Sequence, residues 1–124
     1  MTIIMLSGIY RHTLDEKNRV RIPSKYKDAF CSVMYVAPGR TGCLYLFPGE
    51  DQLRKYASKF INEDVYSDDE MNDISTAFWS AVDEIKEDQQ GRILIRDDVK
   101  KIAGISKDIV FVGRLDFVEV WPAD

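Results

Sequence analysis

The chain contains a version of itself. LDEKNRVRIPSKYKDAF (Leu14–Phe30) can be laid over EDQQGRILIRDDVKKIAG (Glu87–Gly104). Asp15 then meets Asp88, Arg19 meets Arg92, and Val20 and Ile22 meet Ile93 and Ile95. The likeness continues downstream, where SVMYVAPG resembles DIVFVG and CLYLFP resembles FVEVWP. Each copy reads strand, turn, strand, short helix, strand, turn, strand. A repeat of this kind constrains the fold more than any local signal, because half of a 124-residue chain has too little core to be stable alone. The two copies are expected to complete one another within a single β-rich α+β domain.

The turns have a physical logic. Asp88-Gln89-Gln90-Gly91 places Asp first and Gly fourth, the preferences of a type I turn. The Asp side chain can accept a backbone N–H two residues on. Gly91 can then take a positive φ. In the first copy Asn18 holds that place, and Asn is among the side-chain-bearing residues most tolerant of a left-handed conformation. Asp15, Asn18, Asp88 and Gly91 are therefore expected to form the turns. The arginines are not needed for that. They begin the following strands, where alternation sets Val20 and Ile22 against Arg19 and Arg21. Ser24 and Asp97 are the expected N-caps of two short helices. Tyr26, Ala29 and Phe30 form the buried stripe of the first, and Val99, Ile102 and Ala103 that of the second, which ends at Gly104.

Between the copies lies an acidic segment. Leu53, Tyr56, Ala57, Phe60 and Ile61 have the spacing of an amphipathic helix. Ser67–Glu70 has the form of a capping box. The helix after it places Met71, Ile74, Phe78, Val82 and Ile85 on one side, with its last turn open to being strand. Phe78 and Trp79 read as core.

Charge is unevenly spread. The net charge is −4, yet residues 1–48 carry seven basic and three acidic residues, while residues 49–87 carry four basic and eleven acidic ones. A basic lobe beside an acidic one can bind a polyanion locally. Enzyme chemistry finds no support: no glycine-rich phosphate loop and no nucleophile elbow occur. The one histidine, His12, falls in a strand, and Cys31 and Cys43 fit no metal spacing. No metal, cofactor or small-molecule substrate is expected. No apolar stretch of about 18 residues offers a membrane span. The opening MTIIMLSGIY makes a poor signal peptide and a fair first strand. A cytoplasmic, nucleoid-associated location is expected.

GIYRHTLDEKNRVRIPSKYKDAF, CLYLFP, DQQGRILI and IVFVGRLDFVEVW together resemble MraZ, a bacterial family of regulators of the division and cell-wall gene cluster within the AbrB-like, swapped-hairpin group. The resemblance spans about residues 7 to 121, and the doubled D-x-x-x-R with the E-x-W ending Glu119–Trp121 is its most specific part. It implies two AbrB-like units, residues 1–48 and 83–124, joined by helices over 49–82 and paired into a double-psi-like β-barrel. It also implies closed rings of subunits and repression of the family member's own operon through G-rich direct repeats in double-stranded DNA. Arg19 and Lys17 are the expected DNA contacts, Arg19 on a base edge and Lys17 with Arg21 on phosphate, while Arg11 and Lys25 lie further away. Arg92 reads equally as a DNA contact or as an ion-pair partner between subunits inside the ring. Asn18 replaces the family's usual Gly, Arg96 replaces a usual Pro, and Gln89 and Gln90 leave the second turn without a lysine. A ring-forming protein–protein adaptor, or an antitoxin-like barrel docking through the acidic segment, is the alternative expectation.

Overall fold

A computed structural model describes residues 5–60 and 68–123. The first copy gives strands β1 (Ile9–Thr13) and β2 (Arg19–Arg21), a 3₁₀ helix (Ser24–Ala29), and strands β3 (Val33–Pro38) and β4 (Leu44–Phe47). Helices α1 (Glu50–Phe60) and α2 (Asp68–Ala81) follow. The second copy gives β5 (Asp83–Lys86), β6 (Arg92–Leu94), α3 (Asp97–Ile102), β7 (Asp108–Gly113) and β8 (Val118–Pro122).

The two copies exchange strands rather than stand apart. Six strands form an antiparallel sheet in the order β1-β7-β8-β4-β3-β5, and β2 pairs with β6 in a separate two-stranded ribbon. Only the pairs β3–β4 and β7–β8 lie within one copy. β1 pairs with β7, β3 with β5, β4 with β8 and β2 with β6, all across copies. Sheet and ribbon enclose one core. Val20, Ile22, Ile93 and Ile95 from the ribbon side meet Met34, Leu44, Leu46, Ile109, Phe111, Val118 and Val120 from the sheet. Period-2 alternation places the ribbon's apolar residues inward, and burial of such side chains supplies the main drive to fold. Gly113 marks a close approach, since a Cβ there would sit 2.5 Å from the backbone nitrogen of Ser7. The N-terminal segment crosses β7 at this point, with Leu6 and Leu115 exchanging backbone hydrogen bonds.

The hydrogen bonding does not close a barrel. β1 and β5 are the two ends of an open sheet, and the ribbon covers the core without joining either end. A continued hairpin ladder would send the Arg19 N–H to the Asp15 carbonyl, but the Asp15 carboxylate takes it instead. Asp88 takes the Arg92 N–H in the same way.

The outer face of the sheet carries a second, aromatic cluster. Tyr45, Phe47, Leu53 and Tyr56 are buried there, with Phe78, Phe117 and Trp121 packed around them. Leu53 and Tyr56 of α1 thus behave as their spacing requires, and Ala57 is half-buried. Glu119 is buried beside this cluster and accepts a 3.0 Å bond from the Trp121 indole. Ile85 belongs to β5, so the expected helical stripe does end in strand. Trp79 is exposed, because its neighbour Phe78 turns inward toward Tyr56. The Ser67–Glu70 capping box begins outside the described residues, and no side-chain placement is described for Phe60, Ile61, Met71 or Ile74. Two expected caps are corrected. Pro23 and Arg96 occupy the N-cap positions, and neither Ser24 nor Asp97 makes a capping bond. Ile102 is exposed at the end of α3, not part of its buried stripe.

Candidate nucleic-acid interface

The two turns are built alike. In the first, Asp15 Oδ1 accepts the backbone N–H groups of Lys17 at 2.8 Å and Arg19 at 2.9 Å. In the second, Asp88 Oδ1 accepts those of Gln90 at 2.8 Å and Arg92 at 2.9 Å. The Asn18 and Gly91 N–H groups donate to the Asp15 and Asp88 carbonyls. Both residues take positive φ, 63° and 76°. One carboxylate oxygen thus replaces the missing cross-strand acceptor and holds each turn, as a short Asx side chain can.

The second oxygens bring the turns together. Arg92 donates from Nε to Asp88 Oδ2 at 3.0 Å and from Nη1 to Asp15 Oδ2 at 3.3 Å. Arg19 Nε lies 3.8 Å from Asp88 Oδ2, an ion pair beyond hydrogen-bond reach. The repeated motif therefore meets itself at the ribbon, each Asp facing the Arg of the other copy. The Asp15 carboxyl is held below the ordinary carboxylate range, first by the Arg19 N–H, then by the Lys17 N–H and the charges of Arg92 and Arg19, against an opposing desolvation. Asp88 is lowered likewise, first by the Arg92 N–H, then by the Gln90 N–H and the Arg92 side chain. Hydrogen bonds to the charged form favour it.

The two arginines are not equivalent. Arg92 is committed to two carboxylates. The Arg19 guanidinium, with five donors, makes no hydrogen bond to the described residues, only the 3.8 Å ion pair with Asp88. Lys17 projects from the apex of the first turn and is exposed. Arg21 stands opposite Arg92 in the ribbon register and donates to the Gln90 carbonyl at 2.6 Å. Arg11 is exposed on edge strand β1 and joins none of these contacts. The cluster thus gathers Asp15, Arg19, Asp88 and Arg92, with Arg21 attached through Gln90 and Arg11 apart.

Lys100, Lys27 and Glu87, none of them singled out in the sequence, also belong here, with Asp97, expected there only as a helix cap. Lys100 donates to Asn18 Oδ1 at 2.8 Å, and the Asn18 amide donates to Asp97 Oδ1 at 2.8 Å. Lys27 reaches the second turn, pairing with Glu87 at 2.8 Å. A Cβ at Gly91 would come within 2.9 Å of the Lys27 ammonium. The signal for the lysines was available, since the register that matches Asp15 to Asp88 also matches Lys27 to Lys100. Each lysine backs the turn of the other copy.

A family profile described as "MraZ protein, putative antitoxin-like" matches residues 5–74. The chain belongs to the MraZ family. It is similar to proteins named Transcriptional regulator MraZ from several bacteria. The Lachnoclostridium phytofermentans protein is 34% identical over 117 residues, spanning 94% of this chain and 81% of its own length. The Clostridium beijerinckii protein is 38% identical with the same coverage. The Saccharopolyspora erythraea protein is 32% identical over 124 residues, covering 97% and 82%. The family match includes the first turn whole, while the matches to these relatives run through nearly the full chain.

Proposed function

We propose that the chain is a DNA-binding transcriptional regulator whose first D-x-x-x-R turn reads base edges. The observation that carries this is the contrast between the arginines: Arg92 is bound by two carboxylates, while Arg19 sits on a fixed turn with uncommitted donors, beside an exposed Lys17. A guanidinium can donate twice to guanine O6 and N7, which is worth about 1–3 kcal/mol of discrimination. Lys17 and Arg21 would contact phosphate and set register, with Arg11 further out. The names of the relatives support a regulatory role.

The finer form of the proposal is a swapped-hairpin unit of two AbrB-like halves, residues 1–48 and 83–124, acting in a ring oligomer on short direct repeats upstream of its own operon in the division and cell-wall cluster, and repressing it. A chain of net charge −4 has few cations to offer one site. Several copies on tandem repeats would gain avidity instead, where repeat spacing matches subunit spacing.

The test is a fluorescence anisotropy titration of the chain against its own upstream DNA and a scrambled duplex, at two salt concentrations, for wild type and Arg19→Ala. Salt-sensitive binding that prefers the upstream DNA and is lost in Arg19→Ala is expected. Equal binding to both duplexes, unchanged by the substitution, would remove the base-reading role. A single repeat bound as tightly as the tandem array would remove avidity.

A further inference from the structure

We propose that Lys100, Asp97 and Asn18 form a clamp that positions the first turn, making them positioning residues for base reading by Arg19; this rests on the DNA-binding role proposed above. Asn18 holds φ at 63°, a conformation that glycine adopts without steric cost and asparagine does not. Its side chain has a use that glycine lacks. Asn18 Oδ1 accepts from Lys100 Nζ at 2.8 Å, and Asn18 Nδ2 donates to Asp97 Oδ1 at 2.8 Å. The orientation of the amide follows from its partners, because an ammonium can only donate and a carboxylate can only accept. The Lys100 side chain is only 13% exposed and lies 3.9 Å from Asp97 as well. A lysine so enclosed is poorly placed to meet phosphate and well placed to hold a neighbour. The main chain adds a third tie, with the Ile95 N–H donating to the Asn18 carbonyl at 2.9 Å. The residue immediately before Arg19 is thus fixed from three points, all between residues 95 and 100.

The second turn lacks this device. Gly91 has no side chain to hold, and the corresponding Lys27 pairs with Glu87 and is 44% exposed. The copy whose arginine has uncommitted donors is the copy whose turn is clamped. A reading group gains specificity when its support leaves it little freedom.

The closing experiment uses the full chain, titrated by anisotropy against a duplex of its own upstream region and a scrambled duplex over a range of salt. Lys100→Met and Asn18→Gly are each expected to cut the preference for the upstream duplex about fivefold, the low end of what one base contact supplies. The double variant should be no worse than either single one, because both act through one network. Lys100→Met should leave the slope of log K against log salt unchanged, whereas loss of a phosphate contact would flatten it by about 0.9. A flattened slope, or full preference retained in Asn18→Gly, would overturn the clamp. Asn18→Gly keeps a residue suited to positive φ, so it answers the question even where Lys100→Met disturbs folding. Arg19→Ala is the separate control: unchanged preference there would remove the base-reading role itself, whatever the clamp variants do.

Discussion

Asp15 and Asp88 each divide their two oxygens between tasks. One shapes a turn by accepting two backbone N–H groups, and the other faces the guanidinium of the opposite turn. Both tasks favour the charged carboxylate, and both lower its pKa. The sign follows from linkage. A group whose folded pKa lies below its unfolded value adds stability that is complete above the ordinary carboxylate value of about 3.9 and is lost as pH falls through the folded value. The stability that these two carboxylates supply is therefore expected to hold down to about pH 5, and the melting temperature to lose it below about pH 4. The double variant Asp15→Asn/Asp88→Asn keeps an acceptor oxygen at each turn but cannot titrate. Its melting temperature should start lower at neutral pH and fall less steeply on acidification. A fall as steep as that of wild type would place the acid-sensitive groups elsewhere.

At the scale of elements, the ribbon is the part on which both core and turns depend. β2 and β6 have only three residues each, and Val20 stands opposite Ile93 at its centre. Ile93 is 1% exposed, so Ile93→Ala should cost about 3 kcal/mol, from lost burial plus the cavity left behind. Leu94, next to it on the outer face and 40% exposed, should cost under about 0.5 kcal/mol when replaced by Ala. Urea denaturation of the two variants measures this directly. Equal costs would mean that the ribbon does not seal the core. The strands, their inward faces and both turns were legible in the sequence, because alternation and Asx turns are local. Which strands pair was not. Alternation says which side of a strand is buried but not which strand lies beside it, and here most pairings join residues far apart in the chain. The barrel expectation failed at the same point, since the two-stranded ribbon pairs with neither end of the six-stranded sheet. The clamp on Asn18 was hidden likewise, although the repeat register pointed to Lys100.

The whole molecule follows from that exchange of strands. Residues 1–48 alone would keep β3–β4 but lose the partners of β1, β2 and the far edge of β4, all of which lie in residues 83–124. The second half alone would keep β7–β8 and lose the partners of β5 and β6. A single hairpin is marginal in water, and the apolar face each half presents is covered only by the other. Fragments 1–48 and 83–124, made separately, are therefore expected to show no cooperative unfolding by circular dichroism. Mixed together they should regain strand signal, because the pairing surfaces are complementary and the connecting helices pack on the outer face of the sheet rather than inside the main core. The same mixture carrying Ile93→Ala should recover less. A half that unfolds cooperatively on its own would show that the repeat encodes two domains, and that the meeting of Asp15 with Arg92 is an interface between them. Failure of the mixture to recover, with neither half folded, would give the structural role to residues 49–82. The docking of Leu53 and Tyr56 against Phe47 and Tyr45 would then be what brings the halves into register.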